Sequence, residues 1–197
     1  MTDILVLYYS RHGTTEALAR QIAKGIEKTP CQARIRTVPP LRDYQSSEIQ
    51  HVPENGPPFV SKADLNECGG LALGSPTRFG NMAAPLKHFL DSTSEEWLKG
   101  ALIDKPCSVF TSSASMHGGQ ETTLLTMAIP LIHHGMIFCG IPYSESALHD
   151  TQTGGTPYGA SHVSGLDNNG LSEHEKQLAM ALGQRLATLA LQLEKSK

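Results

Sequence analysis

Five short apolar runs, separated by polar turns and helical periods, predict an α/β domain built on a parallel sheet. The first run, residues 4–9 (Ile-Leu-Val-Leu-Tyr-Tyr), has the length and side chains of a strand buried on both faces. The turns after the first, third and fourth runs share an unusual composition, rich in Ser, Thr, Gly and Asn. Strands that alternate with helices run parallel and need crossover connections.

Each element follows from its local pattern. After the first strand, Leu18, Ala19, Ile22, Ala23 and Ile26 repeat with helical spacing. Residues 33–38 alternate, with Arg34 and Arg36 on one face, and predict a second strand, shorter and near an edge. Residues 39–62 lack periodicity and predict a long insertion, lid or assembly element. A third strand covers 71–74, followed by a helix over 83–90 that tolerates Pro85 only in its first turn. A fourth strand spans 107–112 and a helix 120–134, with Pro130 as a kink and Gly135 as the residue after its end. The fifth strand is 136–141, and 142–170 is a second long loop. A last helix begins at Ser172, with Glu175 completing a capping box and Leu178, Ala179, Leu182, Leu186, Leu189, Ala190 and Leu193 as its buried stripe.

The 197 residues predict one domain, residues 1–197, with no internal repeat. Five strands in this order fit a flavodoxin-like three-layer sandwich with strand order 2-1-3-4-5. Ligands of such sheets sit beyond the carboxyl ends of strands, where the order reverses. The reversal here lies between strands one and three, so the three unusual turns should face one site.

Composition removes several alternatives. Hydrophobic residues are 39% and charged residues 18%, enough for a packed core. A net charge of −3 leaves no basic footprint for nucleic acid and no strong acidic docking field. Cys31, Cys68, Cys107 and Cys139 form no Cys-x-x-Cys pair and read as reduced, packed thiols. No apolar run is long enough to span or insert into a membrane, and the start carries no cationic leader, so a cytoplasmic location is expected.

The first turn, Ser10-Arg11-His12-Gly13-Thr14-Thr15, brings three hydroxyls and free backbone N–H groups to a helix N-terminus. Such an end attracts phosphate. The turn lacks the Gly-Lys-Ser/Thr ending of a nucleoside-triphosphate loop and the Gly-x-Gly-x-x-Gly of a dinucleotide loop. A single terminal phosphate, as on FMN, suits it better; the alternative is an ordinary turn capped by Thr14 or Thr15. After strand three, Thr77 and Asn81 offer polar groups, Phe79 an aromatic face and Arg78 a charge to balance a reducing flavin, or else Arg78 is simply solvated and Phe79 packed. After strand four, small residues would let backbone approach a flat ring, unless this turn is only a flexible connector. His133 and His134 point to different faces, and the histidines show no metal-ligand spacing, so no metal is expected. From position alone a His at a helix end complements the dipole. Trp97 packs in the core or presents an edge at an interface.

Taken together the motifs resemble the tryptophan-repressor-binding-protein (WrbA) family, flavodoxin-like NAD(P)H:quinone oxidoreductases. The matching stretches are Val6-Leu7-Tyr8-Tyr9-Ser10, Gly74-Ser75-Pro76-Thr77-Arg78-Phe79-Gly80-Asn81-Met82, Gly118-Gly119-Gln120-Glu121-Thr122, His133-His134-Gly135-Met136 and Gly154-Gly155-Thr156-Pro157-Tyr158-Gly159-Ala160. The resemblance implies noncovalent FMN, NADH or NADPH as electron donor, a quinone acceptor, and a homotetramer whose sites draw on more than one subunit. It implies that Ser10, Arg11, His12, Gly13, Thr14 and Thr15 hold the phosphate, and that Thr77, Arg78, Phe79, Gly80 and Asn81 meet the isoalloxazine. Ser112, Ser113, Ala114, Ser115, Met116, His117 and Gly118 would line the ribityl chain and ring edge. His133 would lie over the flavin cavity as the catalytic group at a quinone oxygen, Trp97 would help wall the cavity, and His12 would sit near the nicotinamide. Three departures stand out: His12 replaces a frequent Tyr, Ser112-Ser113-Ala114-Ser115, followed by Met116-His117, replaces the usual Ser-Thr-Gly-Ser/Thr, and the segment from Leu41 to Lys62 follows no family pattern. One cavity serving donor and quinone in turn predicts ping-pong kinetics. The rival readings are a single-electron flavodoxin carrier and a regulatory interaction protein; the second is disfavoured as a direct DNA binder because no helix-turn-helix or basic surface is present.

Overall fold

The computed structural model describes residues 1–41, 56–165, 167 and 169–195. Five of its strands run in the order β2-β1-β3-β4-β5, and a further strand, β6, also pairs with β4. These are β1 (Thr2–Tyr8), β2 (Cys31–Thr37), β3 (Gly70–Pro76), β4 (Pro106–Ser113), β5 (Ile137–Phe138) and β6 (Ala160–Val163), all paired in parallel. The helices are α1 (Thr14–Ile26), α2 (Lys62–Glu67), α3 (Ala84–Asp91), α4 (Ser94–Leu98), α5 (Gln120–His133), α6 (Ala147–Asp150) and α7 (Glu173–Glu194).

The central strands explain the layering. In β1, Ile4, Val6 and Tyr8 face a core shared with α1 and α7, while Leu5 and Leu7 face one shared with α3 and α5. Both faces of the sheet are therefore covered, which is why the strand reads as an unbroken apolar run. The α1–α7 seam is closed by two glycines. A Cβ on Gly25 would lie 2.0 Å from the Met180 carbonyl oxygen, and one on Gly183 2.1 Å from that of Ile22. Helix α7 begins with the capping box expected of Ser172 and Glu175. Helix α5 ends in a Schellman motif, with Met136 N–H on Leu131 O (3.1 Å), Gly135 N–H on Ile132 O (2.9 Å) and Gly135 at φ +81°.

Four expectations need correction. The sheet has six strands among the described residues rather than five. β5 is two residues long instead of covering 136–141, because backbone bonding changes direction: Cys139 N–H still reaches Cys107 O (2.8 Å), but Ile141 N–H turns to Pro157 O (2.9 Å). The chain then leaves the sheet, forms α6, and returns as β6 to occupy the upper part of the same edge, from Phe110 to Ser113 of β4. So residues 142–170 are not simply a loop. β2 does lie at the edge, but it is as long as β1, seven residues each. Of residues 39–62, positions 42–55 fall outside the described residues; the remainder includes a bridge from Thr37 to Phe59 and the Ser61 cap of α2.

The four cysteines are buried and unpaired. Burial pushes the Cys68 thiol up to about 11 and that of Cys107 up to about 12, so neither is a nucleophile at neutral pH. No helix among the described residues is long and apolar enough to cross a membrane.

Candidate active site

The carboxyl ends of β1, β3 and β4 converge on a cleft of about 290 Å3. Its walls include Arg11, His12 and Thr14 from the first turn, Thr77 and Arg78 from the second, and Ser112, Ser113, Ala114, Ser115 and Gly118 from the third. The turns that sequence composition singled out therefore do meet at one place, the reversal of strand order between β1 and β3.

The floor of the cleft is a cluster of hydroxyls. Ser112 Oγ lies 3.0 Å from Thr14 Oγ1 and 2.8 Å from Thr15 Oγ1, joining the end of β4 to the start of α1. Gly13 is the N-cap of α1 at φ +86°, and no side chain caps the helix there. Open space surrounds the position where a Gly13 Cβ would stand. Its own N–H is turned back to Ser10 Oγ (3.1 Å), which shapes the turn. The uncapped N–H groups of the first helical turn thus point, with their partial positive charge, at an open hydroxyl-lined cradle. These features fit a phosphate monoester.

The second turn is tighter than its sequence suggested. Arg78 and Asn81 exchange both backbone hydrogen bonds, 2.8 and 3.0 Å, around Phe79 and Gly80. Both central residues have positive φ, +53° and +75°, as a type I′ turn requires. Phe79 is fully exposed. A bulky residue in this conformation is strained, and here the strain aims an aromatic ring outward. Behind it, Thr77 N–H bonds Ser112 O (2.8 Å) and Thr77 Oγ1 meets Thr123 Oγ1 (2.6 Å). Gly119, at φ +89°, packs so closely that a Cβ there would lie 3.3 Å from Gly80 Cα.

In the third turn Ser113 Oγ donates to Ser115 O (2.8 Å), and Gln120 Nε2 donates to Ser113 Oγ (2.7 Å) and Ser115 O (2.8 Å). Gln120 Oε1 is buried without a partner, an acceptor left over at the edge of the cleft. Met116 and His117 sit at the exposed tip of this turn and do not line the cleft.

His133 and Trp97 are not at this cleft. Helix α5 starts at the cleft and runs back along the sheet for 14 residues, roughly 20 Å at the helical rise. His133 therefore stands near the amino ends of the strands, where Gly135 O accepts from Asp104 N–H just before β4. It is exposed there and stacks on Trp97, ring centroids 5.8 Å apart, while Trp97 Nε1 donates to His133 O (3.1 Å). The expectation that both lie over the flavin cavity is thus not met within one chain, because helix length separates them from it. Neighbouring His134 bonds Thr93 Oγ1 (2.9 Å); burial, and then the adjacent His133, lower its pKa.

Sequence reasoning missed three contributors. Ser164 lines the cleft and donates to Ser113 O through both its N–H (2.9 Å) and Oγ (3.2 Å). It arrives at the end of β6, which no local pattern announced. Thr123 and Gln120 belong to the first turn of α5; Thr123 was legible only as helix, and Gln120 only as part of a matching motif with no role assigned. A buried pair supports Ser164 from behind: His162 on β6 meets Glu175 of α7, Nδ1 to Oε2 2.9 Å. Among the described residues no group of three or more His, Cys, Asp or Glu is placed to hold a metal ion.

Known proteins share this architecture. The NADPH-dependent FMN reductase family model matches residues 2–147. A protein from Gluconacetobacter diazotrophicus called NAD(P)H dehydrogenase (quinone) is 40% identical, over 98% of this chain and 99% of its own length. Another of that name from Solidesulfovibrio magneticus is 37% identical, over 97% and 98%. Among solved structures, a flavodoxin, WrbA-like protein from Agrobacterium tumefaciens superimposes with a TM-score of 0.67 at 22% identity, covering 98% of this chain and 99% of that one. Oxidised flavodoxin 1 from Bacillus cereus gives 0.61 at 14% identity, covering 95% and 98%. The two structural matches speak for the flavodoxin-like fold; the family match and the identity of the two quinone dehydrogenases go further, and the chain belongs to the WrbA-like family of FMN-dependent quinone oxidoreductases.

Proposed function

We propose that this protein is an FMN-dependent NAD(P)H:quinone oxidoreductase that reduces quinones by two electrons. The observation that carries the proposal is the cradle of Thr14, Thr15 and Ser112 hydroxyls at the uncapped start of α1, beside two turns built to frame a flat ring. Family membership supports the same assignment.

Each turn has a separate task. Ser10 shapes the first turn, and Thr14, Thr15 and Ser112 with the α1 N–H groups hold the phosphate. The second and third turns, from Thr77 to Asn81 and from Ser112 to Gly118, border the isoalloxazine, and Arg78 offsets negative charge that develops there on reduction. When bound, FMN supplies a two-electron carrier between nicotinamide and quinone. Donor and acceptor use one cleft in turn, so the kinetics are ping-pong.

The cleft of a single chain is incomplete, and a homotetramer completes it. Trp97 and His133 lie roughly 20 Å from the cleft of their own chain, by the length of α5. On the same helix Leu125, Ile129 and Ile132 form an exposed apolar stripe at helical spacing, and Leu98 and Ile103 extend it around Trp97. Packing this face against other subunits would hide the stripe and carry His133 and Trp97 to a neighbouring cleft. There His133 would hydrogen-bond a quinone oxygen. The setting we propose is the cytoplasm.

One cuvette tests the activity. The expected results are a flavin spectrum with added FMN, bleaching by NADH or NADPH, and recovery of the spectrum on adding benzoquinone. A protein that takes up no FMN refutes the reading. Sedimentation of the FMN-loaded protein at tetramer mass is expected, and a stable monomer with full activity would refute the shared site. Intersecting double-reciprocal lines would exclude ping-pong turnover.

A further inference from the structure

Beside the flavin cleft, along α3, lies a second and larger groove of about 640 Å3. Arg11 and Arg78 line both, so the two spaces share a wall. Within the groove three cationic side chains, Arg11, Arg78 and Lys87, face a single carboxylate, Asp91, with His88 nearby. This local excess of positive charge stands in a chain whose net charge is −3. The guanidinium groups are available: Arg11 makes no hydrogen bond or ion pair among the described residues, and Arg78 donates only to the adjacent Thr77 O (2.8 Å). Lys87 is held by Asp91 at 2.6 Å, but both side chains are exposed, and such a helix-surface pair contributes at most about 0.5 kcal/mol. An incoming dianion would outcompete it. Helix α3 begins at this groove without a side-chain cap, with Ala83, Ala84 and Pro85 in its wall.

A nicotinamide donor whose ring enters the cleft must lay its remaining, strongly anionic half somewhere contiguous with it. We infer that the groove along α3 receives the adenosine phosphates of the donor, with Arg11 and Arg78 on the pyrophosphate and Lys87 and His88 on a 2′-phosphate, so that NADPH is preferred to NADH. The inference rests on the oxidoreductase reading and adds to it a donor preference and the residues that set it. Bidentate guanidinium groups suit the pyrophosphate at the shared wall. Farther along, a point charge such as the Lys87 ammonium suits a monoester, and a 2′-hydroxyl in its place would leave that charge with Asp91 alone.

The test uses the full-length, FMN-loaded protein and the exposed variant Lys87→Glu. Calorimetry compares 2′,5′-ADP with 5′-ADP, and steady-state rates compare NADPH with NADH using benzoquinone as acceptor. Wild-type protein should bind 2′,5′-ADP roughly tenfold tighter than 5′-ADP, as loss of one charge-assisted hydrogen bond implies. Lys87→Glu should abolish that difference and raise KM for NADPH about tenfold, leaving kcat, KM for NADH and FMN affinity within about twofold. Equal binding of the two nucleotides by wild type, or equal changes in both KM values in the variant, would overturn the inference. If neither donor is oxidised, the oxidoreductase reading fails, and calorimetry alone then decides the groove: a 2′-phosphate preference that vanishes in Lys87→Glu supports it, and its absence overturns it.

Discussion

Glu175 should control the stability of the edge that bears Ser164, and its contribution can be worked out from its surroundings. The carboxylate is buried. Oε1 accepts from Gly154 N–H (2.8 Å) and Val163 N–H (3.1 Å), and Oε2 from Ser172 N–H (2.8 Å), with His162 Nδ1 at 2.9 Å. Burial alone would raise its pKa, but hydrogen bonds from His162, Ser172 and Gly154 outweigh that and bring it down to about 2. The other imidazole nitrogen of His162 lies 3.0 Å from Asn169 O, so both ring nitrogens have partners. A fall from the ordinary 4.5 to about 2 corresponds to about 3 kcal/mol of folding stability.

The sign follows from linkage. The folded-state pKa is depressed, so this stability is fully present above about pH 4.5 and disappears as pH falls toward 2. Glu175→Gln removes the charge and leaves a donor facing His162 and Ser172 N–H. It should lower the urea-unfolding free energy at pH 7 by about 3 kcal/mol. The gap from wild type should narrow steadily between pH 4.5 and pH 2.5. A gap under about 0.5 kcal/mol at pH 7, or one unchanged across that range, would refute the reasoning. Because Ser112 of β4 pairs with His162 in register, FMN affinity should fall in the same variant.

Further outcomes follow from single contacts. Ser112→Ala removes the hydroxyl between Thr14 and Thr15 and should weaken FMN binding roughly tenfold in a fluorescence titration; unchanged affinity would remove the phosphate from this cradle. Gly183→Ala pushes a methyl into the Ile22 carbonyl and should cost about 2 kcal/mol or more, read as a lower Tm without loss of FMN affinity per folded molecule. Phe79→Gly relieves a left-handed aromatic residue and should add about 1 kcal/mol of stability, yet lower kcat/KM for quinone about fivefold; a variant that is both less stable and fully active contradicts the turn's proposed purpose. His133→Ala and Thr15→Ala should each impair quinone turnover as pure oligomers, and refolding the two together should restore part of it. No recovery on mixing would mean that His133 does not serve a neighbour's cleft.

What could be read from sequence was whatever is decided locally. Ser172 and Glu175 announced the start of α7 because a capping box closes within four residues. Residues 4–9 announced β1 because both of its faces are buried, leaving no polar residue to break the run. β6 escaped because nothing within Ala160–Val163 distinguishes it from loop; its pairing with β4 is remote in sequence, and the motif from Gly154 to Ala160 was matched without a role. The same remoteness shortened β5, whose continuation is diverted by Pro157. The I′ turn escaped for the opposite reason: Phe at positive φ contradicts the preference of the residue, so no local rule would place it there.

That contradiction joins the fold to the chemistry. A sequence optimised only for stability would place Gly or Asn at position 79 and cap α1 with a side chain at position 13. This chain does neither, and both exceptions stand at the edge of the cleft where strand order reverses. By contrast, boxes cap α2 and α7, and Gly25 and Gly183 sit where backbones nearly touch. At these two positions an outside ligand would supply the missing partner: a phosphate for the open helix end, and a flat ring or a neighbouring subunit for the exposed phenyl group. His133 and Trp97 stand away from the cleft of their own chain, at the far end of α5. The length of α5 keeps the two groups of one chain apart, and in the proposed tetramer association would bring His133 and Trp97 to a neighbouring cleft.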